Sequence, residues 1–135
     1  MKYLLGSNAC VDHLRRGPNS YLTTRLTIEP LNNLCLCSVV RGELIYGAFR
    51  SRDPAATAQA VRDFCDRFIS LPFGDRASEL CGEFRAHLAK LGSPIGPNDL
   101  MIAAIAMAHR LTVVTHNVSE FRRVPGLVVE DWSLS

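Results

Sequence analysis

Apolar residues in this chain fall into two patterns, short unbroken runs and longer stretches that recur every three or four positions. The runs lie at Lys2 to Leu5, closed by Gly6, at Leu34 to Cys37, closed by Ser38, and at Phe68 to Leu71, Leu111 to Thr115 and Leu127 to Val129. Their length and turn-like endings predict five strands. Helical spacing is clearest from Asp75 to Leu91, where Ala77, Leu80, Cys81, Phe84, Leu88 and Leu91 line one side, with Gly92 and then Pro94 to stop the helix. Further helices are expected over 8–15, 20–28, 39–50, 54–68 and 98–109, the last apolar nearly all round and therefore buried in mid-domain. Strands alternating with helices imply right-handed crossovers and a mostly parallel sheet covered on both faces, an α/β fold whose functional site lies off the carboxyl ends of the strands.

With 135 residues the chain matches the usual size of one domain, and 47% hydrophobic against 21% charged residues is the balance of a folded protein. Its longest apolar stretch, Leu100 to Ala108, is nine residues, well short of the roughly 20 a membrane-spanning helix needs. The opening MKYLLGSN is too short for the apolar region of a secretory signal, so a cytoplasmic protein with no membrane role is expected. Five cysteines, an odd number without a C-x-x-C pair, read as free and mostly buried thiols. A zinc site from Cys35, Cys37 and His116 is the rival reading, disfavoured because the four histidines lack paired spacing. The net charge of +2 argues against a plain nucleic-acid-binding domain. Arginine supplies 13 of the 15 basic residues, and Arg15, Arg16, Arg50, Arg52, Arg122 and Arg123 could flank a phosphate-binding groove.

Several familiar α/β sites are absent: no G-x-G-x-x-G, no P-loop, no G-x-S-x-G elbow, and too few lysines for a phospho-acceptor site. What remains is Gly6-Ser7-Asn8 after the first strand, Glu43 in the helix after the second, Asp99 opening the buried helix, and Asn117 with Glu120 after the fourth strand. Singly, each has a plainer reading. Glu43 could sit at the edge of an apolar stripe; Asp99 suits a first helical turn capped by Asn98; Asn117 and Glu120 could form a turn and the start of a short helix. Together they would bring oxygen ligands from three segments to one end of the sheet. That set suits a hard cation such as magnesium, and pairs of such ions cleave phosphodiesters.

Four blocks, MKYLLGSNACVDHL, CSVVRGELIYGA, IGPNDLMIAAIA and TVVTHNVSEFRRVPGLVVEDW, resemble in order and spacing those of the VapC-type PIN-domain toxins, over nearly the whole chain. The resemblance implies a single PIN domain over 1–135 and a Mg²⁺- or Mn²⁺-dependent endoribonuclease acting on RNA, often transfer RNA. It also implies inhibition by a VapB-type antitoxin whose tail fills the groove, and toxin dimers held in complexes that bind operator DNA through the antitoxin. By matching motif, Glu43 and Asp99 would be metal ligands, Asn117 would hold a metal-bound water or second ion, Ser7 and Asn8 would support the site, and Glu120 is a weaker supporting candidate.

The departure is Gly6, where the family's L-D-[TS]-N reads Leu5-Gly6-Ser7-Asn8. Without that first carboxylate, metal affinity and cleavage should fall sharply while folding survives. Two origins fit, a substitution that makes a toxic enzyme producible or a natural loss of activity, and the intact remaining motifs favour the first. The alternative function is a catalytically dead module that grips antitoxin and supports operator repression. Trp132, Tyr46 and Phe49 could serve an interface, but a core role is expected for each.

Overall fold

A computed structural model describes residues 1–133. Five strands form one parallel sheet: β1 (Tyr3–Leu5), β2 (Leu34–Cys37), β3 (Ile69–Leu71), β4 (Thr112–Val114) and β5 (Val129–Glu130), in the order β3-β2-β1-β4-β5. Seven α-helices connect and cover them: α1 (Ser7–Arg16), α2 (Tyr21–Ile28), α3 (Ser38–Phe49), α4 (Pro54–Cys65), α5 (Asp75–Lys90), α6 (Pro97–Ala108) and α7 (Val118–Phe121). All five predicted strands are present, and the predicted helices match to within a residue or two with one exception; the last strand is also displaced. The helix expected to reach Phe68 stops at Cys65, because residues 66–68 must turn the chain into β3. The last strand is shorter and later than Leu127–Val129, since Leu127 closes a turn onto Val124 before pairing with β4 begins.

Strands β1 and β2 are buried on both faces, which is why Leu4, Cys35 and Leu36 have no polar residue between them, and β4 departs from this only at half-buried Thr112. Helix α6 fills the core with Ile102, Ala103, Ala104, Ile105 and Ala106, all essentially inaccessible. Truncating one of the large ones to alanine would cost about 2–5 kcal/mol. Gly92 ends α5 with φ +68, a left-handed conformation, and the Ser93 amide donates to the Leu88 carbonyl at 2.9 Å, as the sequence anticipated.

Trp132 is indeed buried. Its ring meets Tyr3 edge-on with centroids 4.8 Å apart, and the Arg25 guanidinium lies 4.4 Å from the indole centroid. Tyr46 and Phe49 are not in the core: they are 64% and 57% exposed on α3. That helix is apolar on more sides than its neighbours can cover, so sequence alone gives no way to tell which face stays open. The thiols of Cys10, Cys35, Cys37 and Cys65 are buried and Cys81 is half-buried, all of them free. No zinc site joins Cys35, Cys37 and His116: the Cys35 thiol donates to the Tyr3 carbonyl, whereas the His116 side chain is exposed and bonded to Asp131.

Strand order places the site. From β1 the chain steps outward through β2 to β3, then returns to the other side of β1 for β4 and β5. The reversal leaves a crevice beyond the carboxyl ends of β1 and β4, the place where open parallel sheets bind ligands.

Candidate functional site

Gly6 leaves β1 directly into that crevice, buried, with φ −75 and ψ 164, and its amide donates to the Val114 carbonyl of β4 at 2.9 Å. Such dihedrals suit any residue, so the backbone does not demand glycine. A Cβ here would lie 3.0 Å from Val114 O and 3.5 Å from the Thr115 Cβ, so a side chain requires the β4 backbone to yield by a few tenths of an ångström.

Ser7 begins α1, and its hydroxyl donates to Glu43 Oε1 at 2.5 Å, linking the end of β1 to the second turn of α3. Asn8 is exposed and turns toward β4, its Oδ1 accepting from the Thr115 hydroxyl at 3.1 Å and the His116 amide at 3.3 Å. Thr115 Oγ1 in turn accepts from the Asn117 amide at 3.0 Å. Thr115 is thus a buried hinge between the β1 and β4 ends that sequence reasoning missed, because a lone threonine after a strand carries no motif.

Across the crevice, the Asn117 side-chain amide donates to Asp99 Oδ2 at 3.5 Å and also to Glu120 Oε2. Glu120 Oε1 accepts from the Gly96 amide at 2.6 Å. Helix α6 has no side-chain cap of its own, and the expected cap, Asn98, lies exposed inside the first turn. The carboxylate from α7 therefore serves the α6 N-terminus from 24 residues away. Glu120 has a larger part in this geometry than a helix-start residue would, and a spacing-based reading cannot see it because Gly96 offers only backbone.

The electrostatics reflect crowding of like charge. Burial, then the hydrogen bond and charge of Glu120, then the charge of Glu43 push the Asp99 carboxyl up to about 7, with Asn117 opposing. Glu120 moves the other way: the Gly96 amide holds it below the usual glutamate range, assisted by Asn117, Asp99 and Arg123, while burial opposes. Glu43, Asp99, Asn117 and Glu120 thus share one negative field, with Ser7 and Asn8 at its rim.

These donors match a hard divalent ion in kind, being carboxylate and amide oxygens, and although Arg123 acts on Glu120, no cation is among the groups that shift Asp99. In number they fall short, since among the described residues no three acidic, histidine or cysteine side chains converge closely enough to form a metal site. Residue 6, where β1 opens into the crevice, is a glycine and adds no donor. Beside Glu43, a groove of about 450 Å³ between α1, α3 and α4 is walled by Val11, Leu14, Arg15, Leu44 and Val61. Among the arginines offered for a phosphate-binding groove, Arg16 pairs with Asp12, Arg50 lies over Tyr46, and Arg123 donates to the Pro94 carbonyl.

Comparison with known proteins agrees with this architecture. The PIN domain family model matches residues 3–127. A tRNA(fMet)-specific endonuclease VapC from Salmonella typhimurium is 36% identical over 98% of both chains, and the ribonuclease VapC2 of Rickettsia felis is 34% identical over the same shares. The solved structure of DNA-bound VapBC from Salmonella typhimurium superposes with a TM-score of 0.92 at 36% identity, covering 98% of each chain. The parallel sheet, the crevice between β1 and β4 and these whole-length likenesses place the chain in the PIN-domain family, among the VapC ribonuclease toxins.

Proposed function

We propose that this chain is the toxin of a toxin–antitoxin pair, built as a Mg²⁺- or Mn²⁺-dependent endoribonuclease and weakened by Gly6. The observation that carries the reading is the placement of Asp99 at the β1–β4 crevice, within the fields of Glu43 and Glu120 and held by Asn117. Asp99 and Glu43 would hold the ion, and Asn117 a water beside it. When bound, such an ion polarises a phosphodiester and makes water a better nucleophile. The chain's own part is positional. Ser7 fixes one oxygen of Glu43, Asn117 orients Asp99, and Glu120 anchors Asn117 while its other oxygen stays on Gly96.

Gly6 removes the carboxylate that would face Glu43 and Asp99 from the β1 end. If that interaction contributes about 4 kcal/mol in the transition state, its loss slows cleavage roughly a thousandfold. Transfer RNA is the substrate we favour, on the strength of the Salmonella relative's specificity. The test is Gly6→Asp, assayed on transfer RNA with Mg²⁺ or Mn²⁺. A rise of two to three orders of magnitude that EDTA abolishes supports the reading, and no gain over the glycine form refutes it.

For the partner we propose a VapB-type antitoxin in a cytoplasmic complex containing a toxin dimer, with operator DNA reached only through the antitoxin; the DNA-bound VapBC relative supports this. The apolar groove abutting Glu43, with Tyr46 and Phe49 exposed on the same helix, suits a peptide segment and also favours the alternative, a dead module that only binds antitoxin. The two separate on the restored aspartate: an inert Gly6→Asp protein that still binds antitoxin would be the module.

A further inference from the structure

Beside the acidic crevice lies a second cavity of about 390 Å³, on the other side of α1 and bordered by Asn8, Arg16, Leu22, His116 and Asp131. His116 occupies the single position between Thr115 and Asn117, so the strand end that brings Asn117 to Asp99 also fixes this ring at the cavity mouth. Its amide is tied to Asn8. Its Nδ1 lies 3.0 Å from Asp131 Oδ2 and 3.0 Å from the Ser133 hydroxyl. Asp131 is firmly held, accepting from the Ser133 amide at 2.9 Å and the Ser133 hydroxyl at 2.6 Å, with its side chain only 13% exposed.

This arrangement favours the tautomer with the proton on Nδ1. A carboxylate can only accept, so the Nδ1 facing Asp131 is the donor, and in the neutral ring Nε2 keeps its lone pair. Nε2 has no partner among the described residues, and the His116 side chain is 71% exposed. It is no Ser-His-Asp triad, because serine and aspartate both meet the same nitrogen. An oriented acceptor next to a phosphodiester-cleaving crevice suits a hydroxyl donor on the nucleic acid, and the ribose 2′-hydroxyl is the group that separates RNA from DNA.

We propose that His116 reads the 2′-hydroxyl of a nucleotide flanking the scissile phosphate, with Asp131 as its positioning residue, so that the pair selects RNA over DNA. This rests on the ribonuclease reading. The test uses the Gly6 protein in EDTA and follows fluorescence anisotropy of a short labelled single-stranded RNA and the DNA of the same sequence. The parent should prefer RNA severalfold. His116→Ala, an exposed change, should weaken RNA binding about fivefold, as for one lost hydrogen bond, and leave DNA binding unchanged, erasing the preference. Asp131→Ala should lower the same ratio by less and add nothing in the His116→Ala background. An RNA preference that survives His116→Ala, or RNA and DNA weakening together, overturns this assignment alone. A parent chain that binds no RNA overturns this assignment, whereas the ribonuclease reading stands or falls separately on RNA cleavage by Gly6→Asp.

Discussion

Asp99→Asn in metal-free protein should make the domain more stable above neutrality, and the reason can be worked from the site. In the folded chain the Asp99 carboxyl is raised from its ordinary 3.8 to about 7 by burial and by the adjoining Glu120 and Glu43. Between those values the folded state binds more protons than the unfolded state. Stability therefore falls as pH rises from about 4 to about 7, and it levels off above that window. Each pH unit of displacement corresponds to about 1.4 kcal/mol, a ceiling of about 4 kcal/mol. Screening at a half-exposed site and the opposite displacement of Glu120 bring the expected penalty to about 1–2 kcal/mol. Asparagine removes the charge while still accepting from Asn117 and offering a donor to Glu120. Thermal unfolding in EDTA should then show the variant melting roughly 3 to 10 °C higher than the parent at pH 8, the two curves meeting near pH 4. A pH-independent offset, or a variant less stable at pH 8, would refute the argument that like charges crowd this crevice.

Other expectations concern neighbouring parts of the molecule. Glu120→Ala leaves the Gly96 amide without its carboxylate and should cost about 1–2 kcal/mol in urea unfolding, whereas Glu120→Gln, which keeps an acceptor there, should cost less. Arg25→Ala strips the cation from the Trp132 face and its ion pair with Glu29, and should cost about 1 kcal/mol by the same assay, with Arg25→Lys recovering only part because an ammonium cannot stack. Under native conditions a thiol reagent should modify Cys81 first. The other four should react only on unfolding, since burial raises them all, taking Cys35 to about 12 and Cys37 to about 11; prompt labelling of a second thiol would contradict the packing.

The sequence displayed its elements because central parallel strands cannot hide their continuous apolar runs, and because Gly92 and Pro94 mark a helix end by backbone chemistry alone. Strand order was not legible, since it depends on where the crossovers pack. Glu43 and Asp99 stood out through their motifs, yet the Ser7–Glu43 bond joins residues 36 apart and the Glu120–Gly96 bond residues 24 apart. No local pattern records such pairs. The same holds for His116, whose environment is made by Asp131 and Ser133 from beyond β5. Tyr46 and Phe49 misled for a related reason: hydrophobicity predicts burial only when something is present to do the burying.

Calorimetric titration of Mn²⁺ into the Gly6 protein and into Gly6→Asp addresses directly whether these oxygens surround a shared cation. Weak binding by the glycine form and at least tenfold tighter binding by the aspartate form, lost again with Asp99→Asn, is the predicted outcome. Equal affinity in the two forms, or binding indifferent to Asp99, would contradict it.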